Sequence, residues 1–269
     1  MLKPLKKKFE ILEKIIRELK KSAVAFSGGV DSSFLLKYSI DVLGRENVVA
    51  VIEKGELYPE EETQSAIKLA EEFQVKYFII EADQMKDTYF TQNPVDRCFH
   101  CKKDLFGNIK KIVPPDFCIV DGSNADDVKD FRPGEKSKKL FNVRSPLQEA
   151  ELTKDDIRKI SKEMGLPTWN KPSFACFSSR IPYGKKITRE KLSRIEKAER
   201  YLKNKGFWQV RVRDYGKTCR IEVLPDEFAK ILKERDEIVK ELKKTGYLYI
   251  TLDLAGYRTG SMNEILENL

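Results

Sequence analysis

Residues 23–33, AVAFSGGVDSS, constrain the fold of this chain more than any other segment. A short apolar stretch with strand character leads into a turn with two glycines and three serines, and an amphipathic run follows from Phe34. Glycines let backbone N–H groups close on an anion, serine hydroxyls add donors, and a helix N-terminus favours negative charge. The segment therefore predicts a phosphate-binding loop between a strand and a helix, although a Ser/Gly-rich turn that only caps a helix has a similar composition.

This loop differs from a Walker A loop, because no Gly-Lys-Ser/Thr follows at the required spacing. Its pattern, Ser-Gly-Gly-x-Asp-Ser-Ser, resembles the PP-loop of the N-type ATP pyrophosphatases, a superfamily that includes NAD synthetase and the tRNA thiolation enzymes. The resemblance implies cleavage of ATP between its α and β phosphates. It also implies that ATP and Mg²⁺ are bound by Ser27, Gly28, Gly29, Asp31, Ser32 and Ser33.

Beyond this loop, strand patterns alternate with helix patterns. The predicted strands are 47–53, 76–82 and 117–124, and the predicted helices include 59–73 and 98–113. The alternation predicts an α/β fold with a doubly wound parallel sheet. Ligands bind such sheets at the carboxyl ends of the strands. Asp121, Ser123 and Asn124 are predicted to lie at one of these ends, as the loop at 27–33 does.

The rest of the chain predicts a second, smaller domain. Residues 166–186 combine Trp, Phe, Cys, Pro and Gly, and we interpret them as an ordered loop over the active site. The α+β pattern that follows is a helix over 188–206, a hairpin over 207–224, a helix over 226–244 and a strand over 247–254. We therefore expect a PP-loop ATP pyrophosphatase domain over 1–183 and an α+β substrate-binding domain over 184–269.

Bulk composition narrows the class of protein less than these motifs do. The formal net charge of +8 suits polyanions, but it equally suits ATP and a phosphorylated small molecule. The basic N-terminal segment repeats apolar residues at helical spacing and lacks a signal peptide's apolar core, so we expect an amphipathic helix and a cytoplasmic protein without membrane spans. A single histidine, His100, excludes a His-rich metal site.

The five cysteines divide into two groups. Cys118 and Cys219 lie in apolar strand patterns, which predicts structural roles. Cys98 and Cys101 form a Cys-x-x-Cys pair at the start of a predicted helix, and Cys176 lies in the 166–186 loop. Three thiolates are one short of a closed zinc site, whereas on a [4Fe–4S] cluster they would leave one iron open. The alternative is a pair of helix cysteines and one catalytic thiol.

The chain resembles the LarE family, the sulfur transferases that build the nickel-pincer nucleotide cofactor. The resemblance rests on the segments NPVDRCFHCKKDLF, DGSNADD, RSPLQEA, KPSFACFSSRIPYG and VRVRDYG. It implies that the enzyme adenylates a carboxylate of pyridinium-3,5-biscarboxylic acid mononucleotide and then replaces AMP with sulfur. It further implies nucleotide or substrate binding by Asp127 and Ser179, and catalytic roles for Asp31, Cys176 and Arg180.

The family has two sulfur sources. In one variant, a cysteine matching Cys176 gives up its own sulfur and becomes dehydroalanine. In the other, cysteines matching Cys98, Cys101 and Cys176 hold a [4Fe–4S] cluster that carries sulfide. Because this chain has all three, we predict the cluster variant. We also expect a homo-oligomer, with a downstream nickel-insertion protein as a candidate partner.

A polar face is predicted on the hairpin of the second domain. Arg211 and Arg213 alternate with valines, and Arg220 and Glu222 are expected on the same face of the opposite strand. Arginines grouped in this way suit a phosphomonoester, although a solvated sheet face would have the same pattern. Glu199 falls on the apolar stripe of its helix, so its carboxylate requires an arginine or a cation as partner.

Three alternatives remain open from the sequence. A tRNA thiolation enzyme would share the ATP loop and the cysteines, but no RNA-binding appendage is recognisable and we expect no nucleic-acid partner. An amide-forming synthetase would leave the cysteines without a role. A non-catalytic ATP-binding or iron–sulfur sensor would not release pyrophosphate.

Overall fold

The computed structural model describes residues 3–129 and 133–266. Their contacts divide the chain into two compact units, which are described separately. The first contains residues up to Ala82 and Asp96–Ser173, and the second contains Asp83–Val95 and the chain from Phe174 onward. The predicted domain boundary at 183/184 stays a prediction, whereas the division by contacts falls between Ser173 and Phe174.

A four-stranded parallel sheet forms the centre of the first unit. Its strands are β1 (Ser22–Ala25), β2 (Val48–Lys54), β3 (Lys76–Glu81) and β4 (Cys118–Val120), in the order β3-β2-β1-β4. The parallel sheet predicted from the sequence is confirmed. The strand predicted over 117–124 is shorter than expected, because Asp121–Asn124 leave the sheet and form a loop at its carboxyl edge.

Helices cover both faces of this sheet. They are α1 (Lys3–Leu19), α2 (Val30–Leu43), α3 (Glu60–Glu72), α5 (Arg97–Ile112), α6 (Glu135–Phe141), α7 (Pro146–Glu149) and α8 (Lys154–Glu163), while α4 (Thr88–Thr91) belongs to the second unit. Alternate residues of β1 separate two apolar cores: Val24 packs with Leu12 of α1 on one face, and Ala23 packs with Phe106 of α5 on the other. The sheet is therefore doubly wound, as predicted.

The second unit is a small α+β structure. Its sheet has the order β5-β6-β7, with β5 (Arg211–Tyr215) antiparallel to β6 (Thr218–Glu222) and β7 (Tyr249–Leu252) parallel to β6. The helix α9 (Arg189–Asn204) and the helices α10 (Phe228–Lys233) and α11 (Arg235–Lys244) complete it. The prediction of a single helix over 226–244 is wrong, because two helices occupy this segment. Glu234 leaves helical geometry at φ −95° and ψ 9°, although Ile238 N–H still bonds its carbonyl, so the break is confined to one residue.

A segment distant in sequence completes the second unit. Asn93 is fully buried, and its side-chain amide donates hydrogen bonds to the carbonyls of Ile181, Pro182 and Lys185. These bonds tie residues 83–95 to the loop before α9. No helix in the described parts of the chain is both long and apolar enough to cross a membrane.

Candidate functional site

The predicted PP-loop follows β1 and ends in the first turn of α2. Gly28 has a φ of +68°, and a Cβ added there would lie 2.9 Å from Ala66 Cβ of α3. Only glycine suits this position, because both its backbone conformation and its packing exclude a side chain. Gly29 precedes α2 as its N-cap in an extended conformation, and a Cβ there would meet Ser27 Oγ at 3.4 Å. Gly29 therefore leaves room beside the helix N-terminus, where an anion is favoured.

Serines stabilise the shape of this loop. The backbone N–H of Ser27 donates to Ser32 Oγ at 3.3 Å, and the two hydroxyls lie 3.1 Å apart. Ser33 is fully buried, and its N–H donates to the carbonyl of Gly29 at 3.0 Å. The loop is thus closed on itself before any ligand binds, which lowers the conformational entropy that binding must overcome.

Asp31 carries the carboxylate of the loop. Its Oδ2 lies 2.5 Å from Lys154 Nζ, at the start of α8, while its buried Oδ1 has no hydrogen-bond partner among the described residues. A buried carboxylate oxygen requires a donor or a cation, and Mg²⁺ prefers such oxygens. The site therefore fits a magnesium ion at Asp31, beside the phosphate-binding loop.

The loop after β4 packs directly on the PP-loop. A Cβ added to Gly122 would lie 3.0 Å from the backbone nitrogen of Ser32, so the two strand ends are in close contact. Asn124 N–H donates to Asp127 Oδ2 at 3.0 Å, and Asn124 Oδ1 accepts from the Asp126 N–H at 2.9 Å. These bonds give the loop a fixed shape at the carboxyl edge of the sheet.

Asp121 is buried within this loop, and its carboxylate is well satisfied. It accepts hydrogen bonds from the hydroxyls of Ser123 at 2.9 Å and Ser145 at 2.7 Å, and it lies 3.1 Å from Lys138 Nζ. Burial alone would raise its pKa, but Lys102, Lys138 and the hydrogen bonds lower the pKa below its usual range. Asp121 thus anchors Ser123 and Lys138 behind the loop.

Three lysines of this region were missed in the sequence analysis. Lys138 is buried between Asp121 and Ser145, Lys154 pairs with Asp31, and Lys171 donates to the Gly28 carbonyl at 3.1 Å while it pairs with Glu62 at 2.6 Å. Lys154 and Asp31 are 123 positions apart. No local pattern could reveal such pairs, because lysines in a chain this basic are common on solvated faces.

The cysteines of interest belong to different units. Cys98 and Cys101 lie one turn apart in α5, and Cys176 precedes a 3₁₀ turn at Phe177–Arg180 in the second unit. Cys176 Sγ lies 2.9 Å from Ser178 Oγ. Across the described part of the chain, no three Cys, His, Asp or Glu side chains form a group that could hold a metal ion. The three-cysteine cluster stays a prediction from the sequence.

The other two cysteines have the environments that their strand patterns predict. Cys219 is fully buried in the apolar core of the second unit, and burial raises its pKa to about 12. Cys118 is half-buried against the core of the first unit, and burial raises its pKa as well. A thiol with a raised pKa is a poor nucleophile and a poor metal ligand at neutral pH.

Arg180 and Glu199 form a buried ion pair next to Cys176. Arg180 is fully buried, and its Nε and Nη2 donate to the two carboxylate oxygens of Glu199 at 2.8 and 3.0 Å. Its Nη1 donates to the carbonyls of Ala175 and Cys176. Glu199 also accepts from the Val212 N–H of β5 at 3.0 Å. The pair therefore joins the Cys176 loop, α9 and β5, and it answers the sequence-based requirement that Glu199 have a partner.

The hairpin presents its arginines on one face, as predicted. Arg211 is paired with Glu222 and Arg213 with Arg220 in the strand register. This face is buried rather than solvated: Arg211 is 4% exposed, Arg213 is 5% exposed, and Glu222 is fully buried. Arg213 makes a two-pronged contact with Glu222 at 3.0 and 2.6 Å, and its Nη1 donates to the Ser179 carbonyl at 3.1 Å.

The buried arginine cluster consists of Arg180, Arg211, Arg213, Glu199 and Glu222. Glu199 pairs with Arg180 and Glu222 with Arg213, and Arg220 also donates to Glu222 Oε1 at 3.0 Å. Burial and the neighbouring Arg180 lower the pKa of Arg211 to about 10. Guanidinium groups bind phosphates with charge-assisted hydrogen bonds, so a cluster of this kind can attract an anion.

Comparison with known proteins gives the family. The chain is 37% identical over 253 residues, covering 93% of its own length and 92% of the relative, to the pyridinium-3,5-bisthiocarboxylic acid mononucleotide synthase of Lactiplantibacillus plantarum. The chain belongs to the LarE family. It is also 38% identical, over 97% of its length and 99% of the relative's, to an uncharacterized protein of Synechocystis.

Part of this LarE family member is also similar to NAD synthetases. Residues 5–110 match the NAD synthase family model. An NH₃-dependent NAD⁺ synthetase of Methanopyrus kandleri is 39% identical over 89 residues, which cover 33% of this chain and 31% of the synthetase. The chain is thus an enzyme of the PP-loop ATP pyrophosphatase class, and its likeness to this NAD synthetase covers about a third of each chain.

Proposed function

We propose that this protein is an ATP-dependent sulfur transferase that acts on pyridinium-3,5-biscarboxylic acid mononucleotide in nickel-pincer cofactor biosynthesis. The observation that carries the proposal is the similarity to the Lactiplantibacillus plantarum synthase, which extends over 93% of this chain. That relative is named for a bisthiocarboxylic acid product, so carboxylate oxygen must be replaced by sulfur. The PP-loop supplies the ATP chemistry that such a replacement needs.

In the first step, a carboxylate oxygen of the substrate attacks the α-phosphorus of ATP, and the bond to the bridging oxygen of the β-phosphate breaks. Pyrophosphate leaves with that bond's electron pair. The N–H groups of Gly28 and Gly29, with the hydroxyls of Ser27 and Ser32, would hold the phosphates at the helix N-terminus. Asp31 would hold Mg²⁺, which neutralises charge on the leaving pyrophosphate.

Lys154 and Lys171 complete the ATP site in this proposal. Lys154 pairs with Asp31 at 2.5 Å, and its ammonium group would be available to a phosphate oxygen when Asp31 holds a magnesium ion. Lys171 holds the Gly28 carbonyl at 3.1 Å, which turns the peptide's opposite N–H toward the anion side. Lys171 would therefore act on the phosphates indirectly, by positioning the backbone of the loop.

The substrate's phosphate would bind at the arginine cluster. The buried guanidinium groups there, and the pKa of Arg211 lowered to about 10 by burial and the neighbouring Arg180, support an anion at Arg211. Arg213 is engaged with Glu222 and Ser179, so its contribution would be weaker than the sequence alone suggests. Ser179 and Arg180 hold the loop on which Cys176 lies.

In the second step, sulfur attacks the acyl carbon and AMP leaves, which gives the thiocarboxylate. If Cys176 is the donor, its Sγ loses its proton and forms the new bond to the acyl carbon. A base then takes the Cα proton while the thiocarboxylate leaves with the electron pair of the Cβ–Sγ bond, and dehydroalanine remains. If Cys98, Cys101 and Cys176 hold a [4Fe–4S] cluster, as we propose from the sequence, the cluster would supply sulfide from an open iron and the cysteines would remain intact.

The decisive experiment follows pyrophosphate release and thiocarboxylate formation by anaerobically purified protein, with Cys176→Ala and a control, Cys118→Ala. We expect substrate-dependent pyrophosphate release by all three proteins and sulfur transfer by all but Cys176→Ala. Release without the mononucleotide, or none at all, would contradict the proposal. Iron and sulfide assays, and the mass of Cys176 after turnover, then decide the sulfur source.

A further inference from the structure

A series of contacts joins the PP-loop to α5, the helix that carries the Cys-x-x-Cys pair. Gly122, in the loop after β4, lies so close to α2 that a Cβ added there would be 3.0 Å from the Ser32 backbone nitrogen. A movement of Ser32 is therefore transmitted to this loop, because close-packed atoms cannot move independently. The loop begins with Asp121, whose buried carboxylate accepts hydrogen bonds from both the N–H and the hydroxyl of Ser123.

Lysines of two helices approach the Asp121 carboxylate. Lys138 of α6 lies 3.1 Å from Asp121 Oδ2 and is buried, whereas Lys102 of α5 lies 3.7 Å from the same oxygen and has a side chain that is 33% exposed. Burial would raise the pKa of Asp121, and the charge of Lys102 is the largest of the effects that lower it. Lys102 follows Cys101 directly, so the turn of α5 that carries Cys98 and Cys101 also carries this charge.

The position of the Lys102 side chain accounts for a glycine at the start of α6. Gly134, the N-cap of α6, has an ordinary φ of −60°, so its backbone conformation does not require glycine. Its packing does, because a Cβ there would lie 2.6 Å from Lys102 Cδ. The aliphatic part of Lys102 thus crosses α6 where a side chain is missing. A methyl group at Gly134 would displace it and move the ammonium group relative to Asp121.

The contact between Lys102 and Asp121 can be strengthened or lost by a small movement. At 3.7 Å the ammonium group lies outside hydrogen-bond distance of Asp121 Oδ2, and a shift of the loop by about 0.5 Å would bring the two within range. Lys138, by contrast, is fixed by hydrogen bonds to the hydroxyls of Ser123 at 2.8 Å and Ser145 at 2.9 Å. The contact from α5 is therefore the adjustable one of the two.

We propose that Lys102 is a positioning residue that couples the PP-loop to the cysteine-bearing turn of α5 through Asp121. The proposal rests on the proposed function, in that the PP-loop binds ATP. Phosphates at the PP-loop fix Ser32 and the adjoining Gly122, and the loop after β4 then holds Lys102 in one of its two positions. The turn with Cys98 and Cys101 is thus ordered when ATP is present, which is when an activated carboxylate can form. Such coupling is reciprocal, so an ordered turn favours ATP binding in return.

Hydrogen exchange of the full-length protein, purified anaerobically, tests this coupling. The probe is the magnesium complex of α,β-methylene-ATP, which cannot be cleaved between its α and β phosphates. We expect saturation to slow backbone exchange in residues 97–106 about twofold to fivefold, near the low end of coupling between sites, because the ion pair is partly exposed to water. Exchange there that is unchanged or faster at saturation would overturn the proposal.

Two variants interrupt the coupling in different ways. Lys102→Met removes the charge, and Gly134→Ala displaces the side chain that carries it. In both, the analogue should still slow exchange in residues 30–36, at the start of α2, but no longer in residues 97–106. Lys103→Met removes the neighbouring exposed lysine of the same helix and should keep the full response. If Lys102 only stabilised the fold, Lys102→Met would change exchange equally with and without the analogue, and its response in residues 97–106 would persist; that result would contradict the proposal.

Exchange at the start of α2 separates failure of the coupling from failure of the ATP assignment. If the analogue leaves residues 30–36 of the parent protein unprotected, the PP-loop does not bind ATP and both proposals fall. If residues 30–36 are protected while residues 97–106 do not respond, the ATP site stands and the coupling proposal is wrong.

Discussion

Removal of the Arg180 guanidinium should destabilise the second unit strongly. Arg180→Met keeps the aliphatic volume but leaves the Glu199 carboxylate buried without its counter-charge, and the carbonyls of Ala175 and Cys176 lose their donor. Breaking a buried pair from one side costs about 3–5 kcal/mol. A domain is stabilised by about 5–15 kcal/mol in total, so the variant should lose a large share of its stability.

The assay is urea unfolding followed by tryptophan fluorescence. The chain has two tryptophans, and a Trp169→Phe background leaves Trp208 as the reporter of the second unit. Lys244→Met is the matched control, because its ion pair with Glu241 is exposed and should be worth less than about 0.5 kcal/mol. A loss below about 1 kcal/mol for Arg180→Met would refute the reasoning, since it would mean that Glu199 finds another partner or water.

A second substitution separates charge from packing. In the Arg180→Met background, Glu199→Gln removes the uncompensated charge but keeps an oxygen that accepts from the Val212 N–H. We expect a recovery of about 2 kcal/mol, close to the cost of an unpaired buried charge above that of a neutral group. If Glu199→Gln lowers stability further, loss of packing rather than loss of the counter-charge explains the effect of Arg180→Met.

The contribution of Glu199 to stability should decrease as pH falls. Burial would raise the pKa of Glu199, but Arg180 lowers it below its usual range, so this group stabilises the fold above its unfolded pKa of about 4.3 and loses that effect as pH falls. In Arg180→Met the largest lowering contributions are gone, and burial is opposed only by Arg211 and the Val212 N–H, so the pKa of Glu199 rises. The stability difference between parent and variant should therefore narrow between about pH 7 and pH 5, and a constant difference would contradict this account.

The remaining predictions concern the two binding sites. Gly28→Ala should lower the melting temperature of the protein. Gly29→Ala should leave the melting temperature unchanged but weaken ATP binding, measured by calorimetry, at least about tenfold. An equal loss of melting temperature in the two variants would refute this distinction. Arg211→Ala should weaken mononucleotide binding more than about tenfold with ATP affinity unchanged, and equal losses would refute the separation of sites. Lys154→Met should bind Mn²⁺ more tightly in the absence of nucleotide, measured by electron paramagnetic resonance; Lys8→Met, which breaks the pair with Asp156 on the same helix, should not.

Local periodicity was enough to predict the first unit. Val24 and Ala23 are both buried because helices cover both faces of the sheet, and such strands appear in sequence as continuous apolar runs. The assignment of residues 83–95 to the second unit was not predictable in this way. It depends on Asn93, which bonds carbonyls up to 92 positions away, and nothing near Asn93 in the sequence indicates those partners.

Strand patterns predicted the polar face of the hairpin but not the ion pairs of its arginines. Alternation places Arg211 and Arg213 on one face, and the register confirms that Glu222 and Arg220 lie opposite them. Alternation cannot tell which carboxylate pairs with which arginine, because that depends on how the surrounding elements fold. Both carboxylate oxygens of Glu222 accept from Arg213, and Glu199 of α9 pairs with Arg180.

This distribution of charge decides which arginine is the better anion site. A guanidinium held by a two-pronged contact must give up those hydrogen bonds before it binds a ligand, so phosphate at Arg213 competes with Glu222. Burial and the Arg180 charge lower the pKa of Arg211, although Glu199, whose two oxygens are engaged by Arg180, opposes them. Arg211 thus keeps its charge at a cost in stability, because burial and the neighbouring Arg180 both oppose that charge. A cost of this kind is typical of sites that a ligand completes, which is why Arg211, rather than the hairpin face as a whole, is the residue on which substrate affinity should depend.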